Sequence, residues 1–255
     1  METLVYGSAG FIGAQIVATL RRHGHRVVCG EARLDDTVQV AAELRLFASC
    51  THVVNAAGRT HGPEEHQGNI DYLEPSDDID LNTRRARIDI NIRDNLFAPV
   101  QLAMLCQQHG KHYTYIGTGC IYDGAHVYDR ATAPNYHGSC YSIVKGYADQ
   151  LMPASALVIR LRMPIADSVD EPRGFIAKVL RYKDNLASML NSMTVVAHAC
   201  DFIVTAMAND LIGKKNIVNE CPISHVDIIN AYNAILETDL SYTEVAQQDA
   251  RTVGG

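Results

Sequence analysis

Thr3-Leu-Val-Tyr6-Gly7-Ser-Ala-Gly10-Phe-Ile-Gly13 is a short apolar run that breaks into three glycines, each three residues from the next. Ile12, Ile16 and Leu20 then recur every four residues, the spacing of a buried stripe on a helix, and Gly24 follows Arg21-Arg-His23 as a C-cap would. The stretch therefore reads as buried strand, glycine turn and helix. The glycines serve different ends, since one makes the turn, one lets backbone N–H groups approach a pyrophosphate, and Gly13 lets helix and strand pack closely. The plainer reading is a tight βα turn without a ligand, but this placement between strand and helix favours a dinucleotide.

Composition sets the outer bounds. At 255 residues and 47% hydrophobic content the chain can bury a large core, most simply as one α/β domain with a small appendage. A net charge of −7 argues against a nucleic-acid partner, so an anionic ligand must be met by local donors. The seven cysteines form no Cys-x-x-Cys pair and leave an odd one over, as expected of reduced thiols in a cytoplasmic protein. No apolar stretch approaches the roughly 20 residues of a membrane span, and no basic region precedes an apolar run at the start, so neither a membrane nor a leader is expected. Eleven histidines fall in no ligand-like cluster, and no metal is expected. The tail Arg251-Thr-Val-Gly-Gly255 ends on no structural stop signal, which suggests more chain beyond it.

A second strand, Arg26-Val-Val-Cys29, runs into Gly30-Glu-Ala-Arg33. At this corner a carboxylate selects a ribose 2′-OH and an arginine a 2′-phosphate; with both present, Arg33 points to NADP(H), with NAD(H) as the alternative. A helix over about 37–48 and strand Thr51-His-Val-Val-Asn55 follow, and Ala56-Ala57-Gly58 is small enough for an adenine to lie against the backbone. Residues 59–81 read as a surface loop over a site, and a long helix is predicted from Asn82 to Gln108. Within it, Asn91 is either solvated or linked through water to an active-site lysine. The β-branched and aromatic run Tyr113–Ile116 breaks at Gly117, placing Thr118, Gly119 and Cys120 at the strand's C-terminal end. Tyr141 and Lys145 are four apart, so they share a helical face about 6 Å apart at Cβ, where an ammonium would lower the phenol's pKa. Further on, Leu157–Leu161 reads as a strand, Arg173–Tyr182 as a helix carrying Lys178, Ala199–Asp210 as a helix and Asn216–Asn219 as a strand. Ser224-His-Val-Asp227 reads as a capping box that opens a helix to about Glu237. The expected architecture is a Rossmann-type, doubly wound parallel sheet over 1–165, with a small C-terminal, mainly substrate-binding portion over 166–255, the two forming one integrated fold in which later strands can return to the main sheet.

Five segments narrow this further: Thr118-Gly-Cys120-Ile, Thr132–Tyr141, Arg160-Leu-Arg162-Met-Pro-Ile165, Pro172–Lys178 and Asn191-Ser-Met-Thr194. In this order they resemble the UDP-4-keto-6-deoxyglucose 3,5-epimerase/4-reductase family, extended short-chain dehydrogenase/reductases that make UDP-L-rhamnose. The resemblance covers nearly the whole chain. It implies that Gly7, Gly10, Phe11, Ile12, Gly13, Arg33, Asn55, Ala56, Ala57, Pro164 and Ile165 surround NADP(H), with Tyr141 and Lys145. Thr118, Tyr141 and Lys145 become the reductase triad, and Cys120 and Lys178 the acid–base pair for C3 and C5. Arg162, Met163, Asn191, Ser192 and Met193 join Thr118, Gly119 and Cys120 at the substrate, although Met163 and Met193 read by themselves as packing. The implied partners are the nucleotide sugar, an upstream 4,6-dehydratase and a second copy in a homodimer. Reduction alone on a 4-keto-rhamnose nucleotide, a GDP-fucose-forming type of enzyme and a non-catalytic cofactor-binding subunit are the alternatives; the loop at 59–81, which departs from the family, bears on substrate contacts.

Overall fold

The computed structural model describes residues 1–62, 70–123 and 126–245. The tail 251–255 and part of the 59–81 loop lie outside the described residues. Strand β1 (Glu2–Tyr6) leads through the glycine turn into α1 (Phe11–Arg22), which buries Gly13, Ile16, Val17, Thr19 and Leu20. Gly24 closes α1 as predicted, at φ +75°, with its N–H on the Arg21 carbonyl at 3.0 Å. The order continues with β2 (Arg26–Cys29), α2 (Thr37–Leu46), β3 (His52–Asn55), α3 (Leu81–Ile92), α4 (Ala98–Gln108), β4 (His112–Thr118), α5 (Cys140–Leu151) and β5 (Leu157–Leu161). After it come β6 (Pro164–Ile165), α6 (Phe175–Arg181), β7 (Leu186–Ala187), β8 (Thr194–Val195), α7 (Val196–Ala208), β9 (Gly213–Ile217), α8 (His225–Leu236) and β10 (Glu244–Val245).

The main sheet has the order β2-β1-β3-β4-β5-β9, and β1 pairs in parallel with both β2 and β3. The chain thus winds outward from β1 in both directions, so a crevice opens beyond the C-terminal ends of β1 and β3. Register brings Tyr6, Asn55 and Tyr115 side by side across that edge, so the residues that follow each of them emerge together. Beneath, Leu4, Leu44, Val53, Leu102, Tyr113 and Val158 fill one core face. Burying each such side chain stabilises by about 1.5–3 kcal/mol, enough to hold the strand ends in place.

The chain forms two compact units, one of residues 1–160 and 200–216, the other of residues 161–199 and 217–255. The first unit takes in 200–216 because β9 joins the main sheet beside β5. The second unit pairs β6 with β8 and β7 with β10, around Val179, Leu186, Met193, Ile228 and Ile229. Its α8 opens on the predicted capping box: Ser224 Oγ accepts from the Asp227 N–H at 3.0 Å, and the Asp227 carboxylate accepts from the Ser224 N–H at 2.8 Å.

Three expectations need correction. The helix predicted over 82–108 is broken by a π-turn at Arg93–Phe97, a local widening that periodicity does not reveal. Strand β9 starts at Gly213 and ends at Ile217, because the polar run before Asn216 still pairs through its backbone. Within the 59–81 segment, read as a surface loop, Ile70–Leu73 forms a 3₁₀ turn with Leu73 fully buried.

Candidate functional site

At the end of β1, Gly7 turns at φ +75°, where a Cβ would lie 2.5 Å from the Ala57 nitrogen; a Cβ on Gly13 would lie 2.0 Å from the Gly7 carbonyl. Only glycine permits this approach, and the two sites keep strand, turn and helix in contact. No side chain caps the N-terminus of α1 at Gly10 and no acidic residue occupies its first turn, where Phe11 and Ile12 are half-buried. Its free N–H groups suit an anion. Beside it opens a cleft of about 330 Å³ lined by Gly7, Gly30, Arg33, Ala57, Arg59 and Asp94, among others. The glycine backbone, the uncapped helix and two arginines fit a dinucleotide with a 2′-phosphate.

Arg33 reaches this cleft on a loop pinned from α2, where the Glu43 carboxylate accepts the Glu31 and Ala32 N–H groups at 2.9 and 3.3 Å. The guanidinium is exposed and makes two hydrogen bonds to Asp35, at 3.1 and 3.2 Å. Arg33 comes first among the influences that hold the Asp35 carboxyl below its usual range, and Arg93 adds to it. Asn55 is fully buried: it donates to the Tyr113 hydroxyl and accepts from the Ala57 N–H, both at 3.0 Å. Its side chain shapes the turn at Ala56 and Ala57, at the edge of the cleft.

At the end of β4, the Thr118 hydroxyl accepts the Cys120 N–H at 3.1 Å and hydrogen-bonds with Tyr141, so Thr118, Cys120 and Tyr141 are brought together. Gly119 lies within this turn. Tyr141 sits in the first turn of α5, where Ser139 caps the helix by accepting the Ser142 N–H. Burial pushes its phenol well above the usual tyrosine range, the Cys120 thiol adds to the rise, and the hydrogen bond with Thr118 offsets part of it. Lys145 does not lower it, contrary to what the four-residue spacing suggests. Its ammonium instead donates to the Tyr115 hydroxyl and lies 4.5 Å from that ring's centre. Burial lowers the Lys145 pKa to about 8, with Asp149 and Cys120 acting in the opposite direction.

Three residues near the site carry no signal in the sequence. Tyr115 has no distinguishing spacing; it is simply the alternate inward residue of β4. Asn95, in the π-turn, accepts the Arg59 N–H at 2.9 Å and donates to the Arg59 carbonyl at 2.8 Å and to Asn91 at 2.9 Å. Asn91 is fully buried and donates to the Cys140 thiol at 3.6 Å, so it is not a solvent-facing helix residue. Glu74, from the irregular segment, accepts the Cys140 N–H at 2.6 Å and the Tyr141 N–H at 3.1 Å, and also the Ser139 hydroxyl. An isolated Glu-Pro offers no pattern that would have found it.

The second unit carries the remaining candidates. Arg162 donates to the Asn191 side chain at 3.1 Å, and its N–H donates to the Thr194 hydroxyl at 2.9 Å. Met163 adopts φ +42°, turning the chain into β6, where Pro164 and Ile165 pair with Thr194 and Val195. Lys178 is half-buried on α6 and Ser192 is exposed. Met193 is only 2% exposed and packs in the unit's core, in line with its reading as a packing residue.

Residues 3–166 match the model of the NAD dependent epimerase/dehydratase family. A protein of Acanthamoeba polyphaga mimivirus is 33% identical over 258 residues, covering 97% of this chain and 84% of that protein. A crystal structure of a UDP-rhamnose synthase from the same virus superposes with a TM-score of 0.87 at 32% identity, covering 100% of this chain and 87% of the other. A trifunctional UDP-glucose 4,6-dehydratase/UDP-4-keto-6-deoxy-D-glucose 3,5-epimerase/UDP-4-keto-L-rhamnose-reductase of Arabidopsis thaliana is 28% identical over 95% of this chain, which spans 35% of that protein. With the glycine turn, the strand order and a match over more than half its length in agreement, the chain belongs to the NAD-dependent epimerase/dehydratase family.

Proposed function

We propose that this protein is an NADPH-dependent 3,5-epimerase/4-reductase that converts UDP-4-keto-6-deoxyglucose to UDP-L-rhamnose. The observation that carries the reading is the meeting of Thr118, Cys120 and Tyr141 at the end of β4, in a chain similar over its length to a UDP-rhamnose synthase. The Gly7–Gly13 turn and the N-terminus of α1 would hold the pyrophosphate, Arg33 the 2′-phosphate and Lys145 the nicotinamide ribose. NADPH supplies the hydride for C4.

Thr118 holds the C4 carbonyl through its hydroxyl hydrogen. Tyr141 is kept protonated by burial, so at neutral pH it arrives as an acid and gives its phenolic proton to the C4 oxygen as the alcohol forms. The same polarised carbonyl makes the protons at C3 and C5 acidic, because a donor at the oxygen stabilises the enolate. Cys120 and Lys178 then act as the acid–base pair, one removing a proton and the other returning one to the opposite face. A 4,6-dehydratase has to supply the keto-sugar, which makes such an enzyme the upstream partner.

Incubation with the 4-keto-sugar and NADPH in heavy water tests the reading. NADPH oxidation with deuterium at both C3 and C5 is expected. Oxidation only with a ready-made 4-keto-L-rhamnose nucleotide would reduce the protein to a 4-reductase, and no oxidation with either would end the proposal.

A further inference from the structure

We propose that Glu74 is a positioning residue of the reduction: its carboxylate anchors the first turn of α5 and thereby sets where the Tyr141 hydroxyl stands. The inference rests on the proposed reductase reading. Helix α5 begins at Cys140, with Tyr141 second, so the catalytic phenol would hang from the least constrained turn of its helix. Ser139 satisfies one N–H there, that of Ser142. The next two donors, Cys140 N–H and Tyr141 N–H, both go to Glu74, whose carboxylate also accepts the Ser139 hydroxyl that does the capping.

One carboxylate thus takes three donors from three consecutive residues, and it does so from a chain segment 65 residues before the first of them. The segment is itself fixed. Leu73, adjacent to Glu74, is fully buried, and the Tyr72 ring lies under the Arg87 guanidinium of α3, 4.7 Å from ring centre to guanidinium carbon. A negative charge at a helix N-terminus also complements the helix dipole, and hydrogen bonds to an ionised acceptor are the stronger kind. A wobble of the first turn would move the phenol relative to Thr118, and a displacement of about 1 Å can cost on the order of a hundredfold in rate. Glu74 touches no reacting atom, so its effect passes through Tyr141.

Glu74→Ala and Glu74→Gln test this, with kcat and KM followed separately and amide exchange of residues 139–142 measured in the free protein. Glu74→Ala should lower kcat for keto-sugar reduction by about 100-fold and leave KM for NADPH within about twofold, since the cofactor's contacts are untouched. Glu74→Gln keeps one carbonyl acceptor and loses the charge, so it should recover part of the loss, to within about tenfold of wild type. Both variants should speed exchange of the Cys140 and Tyr141 amides, a readout that needs no substrate and that Glu74→Gln provides even where Glu74→Ala fails to fold. Wild-type protein that oxidises no NADPH with either keto-sugar refutes the reductase reading and, with it, the catalytic role given to Glu74. Unchanged exchange, or a lowered melting temperature with kcat intact, overturns the positioning role alone.

Discussion

The Arg33 guanidinium is forked onto the Asp35 carboxylate. Under the proposed function, a 2′-phosphate at Arg33 competes with this carboxylate. Removing the arginine by Arg33→Ala should weaken NADPH by about tenfold, the lower end for a charge-assisted contact because the side chain is exposed, and leave NADH almost unchanged. Asp35→Asn should act in the other direction and tighten NADPH; equal losses for both cofactors in Arg33→Ala, by fluorescence titration, would discard the assignment. Lys145 supplies a pH signature of a different kind. Its ammonium is held near pKa 8 by burial, so it is charged and able to donate below that pH and neutral above it. The free-enzyme profile, kcat/KM for NADPH, should fall as pH rises through about 8, and Lys145→Met should lose that limb along with most of its activity.

Elements in this chain position residues as much by their irregularities as by their regular turns. The π-turn at Arg93–Phe97 carries Asn95, whose side chain bonds both backbone groups of Arg59 on the cofactor side of the sheet. Asn95→Ala leaves those two groups without their partner, so we expect a loss of about 1–3 kcal/mol in stability and weaker NADPH binding, with the keto-sugar KM less affected. Calorimetry with and without NADPH checks it: an identical loss in both would make Asn95 a structural residue only. Irregular elements are also the ones a sequence discloses least. The strand, glycine turn and helix from Thr3 to Leu20 were legible because three independent signals, apolar run, glycine spacing and i+4 stripe, coincided. So was the capping box at Ser224, a local motif whose partners lie three residues apart. The π-turn was not, because Ile88, Ile92, Leu96 and Leu102 keep a helical rhythm across it, and neither was Glu74, whose partners are 65–67 residues distant. Long-range polar pairings leave no periodicity behind them.

For the whole molecule, the chemistry is divided by chain segment. The first unit holds Thr118, Cys120, Tyr141 and Lys145, while Lys178, Arg162 and Asn191 belong to the second. Under the proposed function the two half-reactions draw on different side chains, reduction on Thr118, Tyr141 and Lys145, epimerisation on Cys120 and Lys178. Tyr141→Phe should nearly abolish NADPH oxidation, since no acid remains for the C4 oxygen. Deuterium exchange at C3 and C5 should persist, because Thr118 still polarises the carbonyl. Cys120→Ser should do the reverse: the hydroxyl is close in size but several pKa units weaker as an acid, so exchange falls by about 100-fold or more. The variant should nevertheless reduce a 4-keto-L-rhamnose nucleotide supplied ready-made, because Tyr141, Thr118 and Lys145 are untouched. Lys178→Met should share the exchange defect of Cys120→Ser and also keep reduction. If Cys120→Ser exchanged both protons at the wild-type rate, the thiol beside Tyr141 would be a packing group, and reduction would be the whole of the reaction.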